Sequence, residues 1–232
     1  AFVFHTGETS NSILDGFTIT NGYSDLGGAI RMNNSNTPCT PTIKNCVFSK
    51  NISTLQGGAL LASMPYSPGM PPIPIALERC SFIENSTKDV GGAIYSNWSL
   101  KLTDCNFLGN ATDIHGYKGG GGIGLESYSS TSCSALVEGC NFTGNSARIG
   151  GAINAQSNTS GTISIMNSTF IGNAASSMAG ALNIMPQFYT TISNSVLAGN
   201  RGGTSGLSIA GPSQITNCTI AGNSSIYNDS YS

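Results

Sequence analysis

Apolar residues fall along this chain in short runs closed by turn formers, and the runs repeat. Ile43 to Asn51 recurs without a gap as Leu77 to Asn85, Leu102 to Asn110, Val137 to Asn145, Ile165 to Asn173, Ile192 to Asn200 and Ile215 to Asn223. The first of the nine positions is Ile, Leu or Val. The fourth is Cys or Ser, the sixth is Phe48, Phe82, Phe107, Phe142, Phe170, Leu197 or Ile220, and the ninth is always Asn. A degenerate copy, Ile13 to Asn21, opens the series, with Phe17 and Ile19 placing its register one residue late. Side chains alternate along a strand, so the fourth and sixth positions share one face and the fifth takes the other. A second motif follows each Asn: Gly-Gly-Ala-Ile at 27–30, 91–94 and 150–153, Gly-Gly-Ala-Leu at 57–60, and weaker forms at 120–123, 179–182 and 204–207.

From Asn51 to Asn223 the repeat averages about 29 residues, the length of one solenoid coil. Leucine-rich repeats share that length, but their Leu-x-x-Leu-x-Leu core is absent. Gly, Asn, Ser and Thr make up 107 of the 232 residues, which excludes helical repeats. The pattern predicts an all-β chain, a right-handed parallel β-helix of seven to eight coils. With coils stacked at the ~4.8 Å inter-strand spacing, the phenylalanines form one internal column. The terminal Asn is expected to adopt left-handed backbone and to bond a neighbouring coil, and the Gly pair to allow positive φ and a close approach of the following Ala.

The alternation of Gly-Gly-Ala-Ile/Leu with Phe-x-x-Asn (Phe48 to Asn51, Phe82 to Asn85, Phe107 to Asn110, Phe142 to Asn145, Phe170 to Asn173) resembles the polymorphic outer membrane protein repeats of bacterial autotransporter adhesins, over about residues 13–223. The resemblance implies the right-handed handedness of the β-helix and a cell-surface, adhesive role. The autotransporter barrel of that family is not in this sequence, and the later copies depart from the motif at Leu197, Ile220 and 204–207.

Charge narrows the function classes. Charged residues are 9% of the chain and the net charge is −2, so no basic patch awaits nucleic acid. The longest apolar runs are far short of the ~20 residues of a membrane-spanning helix. Acidic residues are candidates for the acid/base pairs of a polysaccharide-cleaving β-helix. The best stacks, Lys44 beside Glu78 and Arg79 beside Asp104, read more simply as opposite charges on adjacent coils. Tyr95 and Trp98, just after a Gly-Gly-Ala-Ile copy, offer a surface for stacking a sugar, although isolated aromatics more often only cover a solenoid wall. His5 and His115 stand in no ligand spacing, so neither metal nor cofactor is expected.

Five cysteines (Cys46, Cys80, Cys105, Cys140, Cys218) share the fourth position, with Ser168 and Ser195 filling it in other coils. The favoured reading is of buried thiols packing as small hydrophobes; Cys39 and Cys133 each precede a column cysteine by seven residues, which makes Cys39–Cys46 and Cys133–Cys140 testable local disulfides. Eleven Asn-x-Ser/Thr triplets occur. Asn33, Asn97, Asn158 and Asn228 in loops, and Asn141 on the outer face, are the best N-glycan acceptors in a eukaryotic source. Insertions are expected to be confined to one corner, between the Gly-Gly-Ala alanine and the next strand; the longest, Ala62 to Pro74, carries five of the nine prolines. Another, Ala111 to Gly119, carries His115, Tyr117 and Lys118.

These features describe residues 1–232 as one β-helical domain, a segment of a longer chain or a stacking unit. The expected role is non-catalytic: an extracellular or surface rod or filament subunit displaying loops and glycans, with end-to-end copies, flanking segments or a surface glycan as partners. The alternative is a carbohydrate-active or carbohydrate-binding β-helix.

Overall fold

The computed structural model describes residues 2–33, 37–63, 73–113, 118–127 and 133–226. Its strands form four parallel sheets of eight, and each sheet takes one strand from every coil. The fourth coil shows the plan: Ile94–Ser96 lies in the first sheet, Leu100–Thr103 in the second, Asn106–Leu108 in the third and Ala111–Thr112 in the fourth. The chain is a parallel β-helix of eight coils.

The nine-residue unit spans two of these sheets, not one strand. Its first two residues end a second-sheet strand such as Thr42–Lys44, and its fifth to seventh form a third-sheet strand such as Val47–Ser49. Between them the third position turns the corner with positive φ in all eight coils: Gly16, Asn45, Arg79, Asp104, Gly139, Asn167, Asn194 and Asn217. A second left-handed row runs along the eighth position, through Asn21, Lys50, Glu84, Gly109, Gly144, Gly172, Gly199 and Gly222. The left-handed residue is therefore the one before the invariant Asn, which itself has negative φ. The first coil pairs Leu14 with Ile43 and Ile19 with Phe48, the one-residue shift that Phe17 and Ile19 indicate.

Alternation then fills the interior. Phe48, Phe82, Phe107, Phe142 and Phe170 are in register on adjacent third-sheet strands, and all are at most 1% exposed. Their rings stack at centroid separations of 4.9, 4.9, 4.5 and 4.7 Å. Ring spacing thus equals strand spacing, so one contact repeats along the axis.

The ninth-position Asn forms a buried ladder beside the rings. Asn110 is typical: its Oδ1 accepts from the Asn85 N–H and the Asn85 Nδ2, both at 3.0 Å. Its Nδ2 donates to the Phe82 carbonyl at 2.9 Å and to Asn145 Oδ1 at 3.0 Å. Each amide thereby satisfies a backbone N–H that the sheet ladder cannot reach, which explains why no other residue fills this slot from Asn51 onward.

The fourth position works similarly. The Cys105 N–H donates to Cys140 Sγ at 3.4 Å, the Cys140 N–H to Ser168 Oγ at 3.1 Å and the Ser168 N–H to Ser195 Oγ at 3.1 Å. Cys and Ser alternate here because the slot needs a small side chain whose sulfur or oxygen accepts a corner N–H.

The glycine pair has two separate jobs. Gly27, Gly57, Gly91, Gly120 and Gly150 have positive φ, whereas at Gly58 an added Cβ would collide with the Gly92 carbonyl oxygen of the next coil. Gly144 also has positive φ, but open space surrounds it. Gly144→Ala should cost only the left-handed penalty, about 1 kcal/mol, while Gly58→Ala should cost about 3 kcal/mol by forcing coils apart. Urea unfolding of both variants checks the order; equal losses would place Gly58 in open space as well.

Variable linkers occupy two corners. Residues 34–41, 64–74 and 128–134 join first-sheet to second-sheet strands, and residues 113–122 join the fourth sheet to the first. Insertions are thus not confined to one corner.

Candidate functional site

The outer faces carry whatever the molecule presents. Among the described residues no group of three or more His, Cys, Asp or Glu side chains is placed to hold a metal. No helix of the described residues is long and apolar enough to cross a membrane.

The charge stacks form in part. Lys44 is in register with Glu78, but its Nζ pairs with Asp15 Oδ2 at 3.5 Å on the other side. Arg79 donates from Nε to Asn45 Oδ1 at 2.8 Å and lies 3.9 Å from Glu78, not against Asp104. Lys44 thus sits beside Glu78 as expected, while Arg79 departs because of the left-handed corner: residue 79 leaves the strand there, and its long side chain reaches back to the preceding coil. Two carboxyls of the first coil, Asp15 and Glu8, are held below the usual carboxylate range. Asp15 is lowered first by the Asn45 amide and also by Lys44. In Glu8 burial acts upward, but bonds from the Thr6 hydroxyl and neighbouring backbone outweigh it and hold the carboxyl near 2. A general acid needs the opposite shift.

Among the described residues, one cation meets two carboxylates where the fourth sheet turns into the first. Lys118 Nζ is 3.2 Å from Glu126 Oε2 and 3.7 Å from Asp89 Oδ2, and Glu126 is fully buried. Lys118 thus pairs with a carboxylate on the outer face of the first sheet. His115 and Tyr117 of that insertion lie outside the described residues, as do Pro65, Pro68, Pro71 and Pro72 of the longer one. The aromatic pair offered as a sugar platform is buried: Trp98 donates from Nε1 to the Ile73 carbonyl at 2.8 Å, and Tyr95 packs with Leu61 and Val90. The pair therefore covers the wall, the simpler of the two sequence readings, and residues such as Val90 from the preceding corner pack beside it on the outer face of the first sheet.

Shallow grooves run along two outer faces. One of about 340 Å³ has a floor of Ser86, Ala111 and Thr112 between Lys88 and Asp113. Another of about 240 Å³ passes Lys101, Leu136 and Ser164 on the second sheet. They are open troughs in a regular wall and assemble no acid/base pair.

All seven cysteines are free. The alternative Cys39–Cys46 and Cys133–Cys140 bridges are not formed in this structure, because the partners stand at opposite ends of the strands Thr42–Lys44 and Ala135–Glu138. At ~3.3 Å per residue, such a strand holds them beyond the ~7 Å Cα limit of a disulfide. Burial raises the Cys39 thiol and pushes Cys133 up to about 12, and a hydrogen bond with Cys105 followed by burial raises Cys80. Only Cys218 is not fully buried. A thiol titration of native protein should label Cys218 alone, and denaturation should expose all seven. Two bridges would consume four of these seven and leave three.

The glycan acceptor positions differ in setting. Asn158 is exposed, while Asn33 and Asn97 are half-buried, Asn33 as the last residue of a first-sheet strand. Asn141 is exposed but tied into a surface ladder, donating from Nδ2 to Asn106 Oδ1 at 2.9 Å and accepting from Thr169 Oγ1 at 2.7 Å. Asn228 lies outside the described residues.

Two stretches, residues 45–63 and 79–97, match the Chlamydia polymorphic membrane protein (Chlamydia_PMP) repeat. Each begins at a left-handed corner residue, Asn45 or Arg79, and runs through the Phe and Asn positions to the Gly-Gly-Ala strand of the next coil. The resemblance read from the motifs is thus shown in two adjacent coils. It points to a surface protein of the outer membrane. No curated protein and no solved structure matches this chain.

Proposed function

We propose that the chain is a non-catalytic rod of a cell-surface protein of adhesin type, whose regular core carries inter-coil linkers of varied sequence that recognise a partner surface. The observation that supports this reading most is the join of two facts: the surface-protein repeat matches at 45–63 and 79–97, and all four sheets continue through eight coils. A solenoid whose coils repeat one contact is stiff along its axis, and sequence variation collects in linkers that the core does not constrain. The ladder residues are committed to backbone groups, so recognition falls to linkers such as 64–72 and 114–117.

Beads coated with the chain should adhere to a receptive cell surface. Replacing 64–72 or 114–117 by Gly-Ser sequence should reduce adhesion and leave the melting temperature unchanged. Inert beads would contradict the proposal. So would turnover of an acidic polysaccharide that disappears in Glu78→Ala, Asp104→Ala or Glu138→Ala.

A further inference from the structure

The corner that joins the first sheet to the second in the fourth coil is three residues long, 97–99, and both Trp98 and Ser99 are buried there. Equally short corners of the sixth and seventh coils, 158–160 and 185–187, lie mostly in solvent: Asn158, Ser160, Met185, Pro186 and Gln187 are all exposed. The neighbours account for the difference. The third and fifth coils carry the long connections 64–74 and 128–134 at this same corner.

Both connections are tied to it. The Asn97 N–H donates to the Ala62 carbonyl at 3.1 Å and Trp98 Nε1 to the Ile73 carbonyl at 2.8 Å, one on each side of 64–72. The Ile75 N–H donates to the Ser99 carbonyl at 3.0 Å. Toward the fifth coil, the Ser134 N–H donates to Ser99 Oγ at 3.1 Å and the Leu100 N–H to the Ser134 carbonyl at 2.9 Å. Ser96 Oγ holds the turn itself, accepting from the Trp98 N–H at 3.0 Å and donating to the Trp98 carbonyl at 2.8 Å. The indole and the Ser99 hydroxyl thus add bonds that the backbone ladder does not provide. The sequences so tied share a chemistry: 64–74 and 128–134 hold Met64, Met70, Tyr66, Tyr128 and five prolines, and no Asp, Glu, Lys or Arg. Tyr and Met are enriched, and most charged residues depleted, in the centres of protein interfaces. The two connections leave one edge two coils apart, ~10 Å, near enough for one partner to touch both.

We propose that the 96–99 corner is a clamp, with Trp98 and Ser99 as positioning residues, that fixes the feet of 64–74 and 128–134 side by side as one recognition edge for an uncharged protein surface. It rests on the reading that the linkers recognise a partner. Anchored feet reduce the ordering entropy lost on binding. An edge without charges makes that binding indifferent to salt.

Chymotrypsin cleavage of the native full chain, mapped by mass spectrometry, tests the clamp without any partner. Trp98→Phe keeps a ring and removes the donor, and should speed cleavage after Tyr66 about fivefold, the factor that one neutral hydrogen bond supplies. Ser99→Ala should do the same after Tyr128, and it serves alone if circular dichroism finds Trp98→Phe unfolded. Cleavage after Tyr23, on the fourth sheet, should stay unchanged in both. Unchanged rates at Tyr66 and Tyr128, or an equal rise at Tyr23 from general loosening, would overturn the clamp. Adhesion of coated beads to fixed cell monolayers tests the partner: it should fall several-fold in each variant and vanish after the monolayer is treated with trypsin. In wild type it should change by less than about twofold between about 0.05 and 0.5 M salt. Adhesion that high salt removes, or that survives trypsin, would overturn the assigned partner. Beads that never adhere contradict the rod reading and the partner together, and the cleavage rates still decide the clamp.

Discussion

Phe107→Ala is expected to lower the free energy of unfolding by about 3–5 kcal/mol, near the top of the range for a single core truncation. The ring is 1% exposed and lies between Phe82 at 4.9 Å and Phe142 at 4.5 Å, nearly parallel to both. Its removal subtracts the transfer energy of a benzyl group and two stacking contacts, and it leaves a cavity. The void cannot collapse, because the backbones above and below are pinned by sheet hydrogen bonds at fixed spacing. Phe107→Leu should recover a large part of the loss, since Leu197 fills the same row in the seventh coil and is fully buried. Chemical denaturation of both variants measures the pair; a Phe107→Ala loss within about 0.5 kcal/mol, the range of ordinary surface substitutions, would mean that the ring is not in the core.

Asn110→Ala is expected to be nearly as damaging, about 3 kcal/mol or more, although it deletes a polar group. It strips the acceptor from the Asn85 N–H and side-chain amide and the donor from the Phe82 carbonyl, all buried where water cannot replace them. Asn110→Asp should not rescue it: an oxygen would then face the Phe82 carbonyl and Asn145 Oδ1 in place of the Nδ2 donor. Combining Asn110→Ala with Asn145→Ala should cost less than the two single losses together, because the bond between them is broken by either change. Strict additivity of the pair, measured by urea unfolding, would show that the amides act independently and that the ladder is not a ladder.

The same two rows show how much of the fold is legible in the amino-acid sequence. Phenylalanine and asparagine stand out because each position meets its own copy in the next coil, so identity repeats wherever geometry does. The corners are harder. A left-handed residue points away from the core and answers to backbone strain alone, so the third position drifts through Gly16, Asn45, Arg79 and Asp104 with no fixed identity. A trace remains, since Arg79 is the only member of that row other than Gly, Asn or Asp. The run from Ile43 to Asn51 consequently looks like one strand where a corner divides it. At the eighth position five glycines and Asn21 carry the same hint, overshadowed by the invariant Asn beside them.

Less of the surface is legible. The Cys39 and Cys133 spacings suggest bridges because seven residues is short in sequence, yet a strand lies between the partners and keeps them apart. Tyr95 and Trp98 are legible as wall-covering aromatics, but nothing in the first-sheet motif announces that Tyr95 packs with Val90 and Leu61. The pairing of Lys118 with Glu126 escapes sequence reading because the insertion that carries Lys118 has no counterpart in other coils. The repeat specifies its own interior, whereas single-copy features on its walls lack the redundancy that makes the core readable.

The central claim is that each ring of the column touches only the rings of the coils directly above and below. Ring-to-ring nuclear Overhauser contacts in protein carrying labelled phenylalanine test it, with each signal assigned by single Phe→Leu changes. The expected set is Phe48 with Phe82, Phe82 with Phe107, Phe107 with Phe142 and Phe142 with Phe170, and no contact between rings two coils apart. Rings that show none of these neighbours, or that are quenched by a soluble paramagnet, would contradict it.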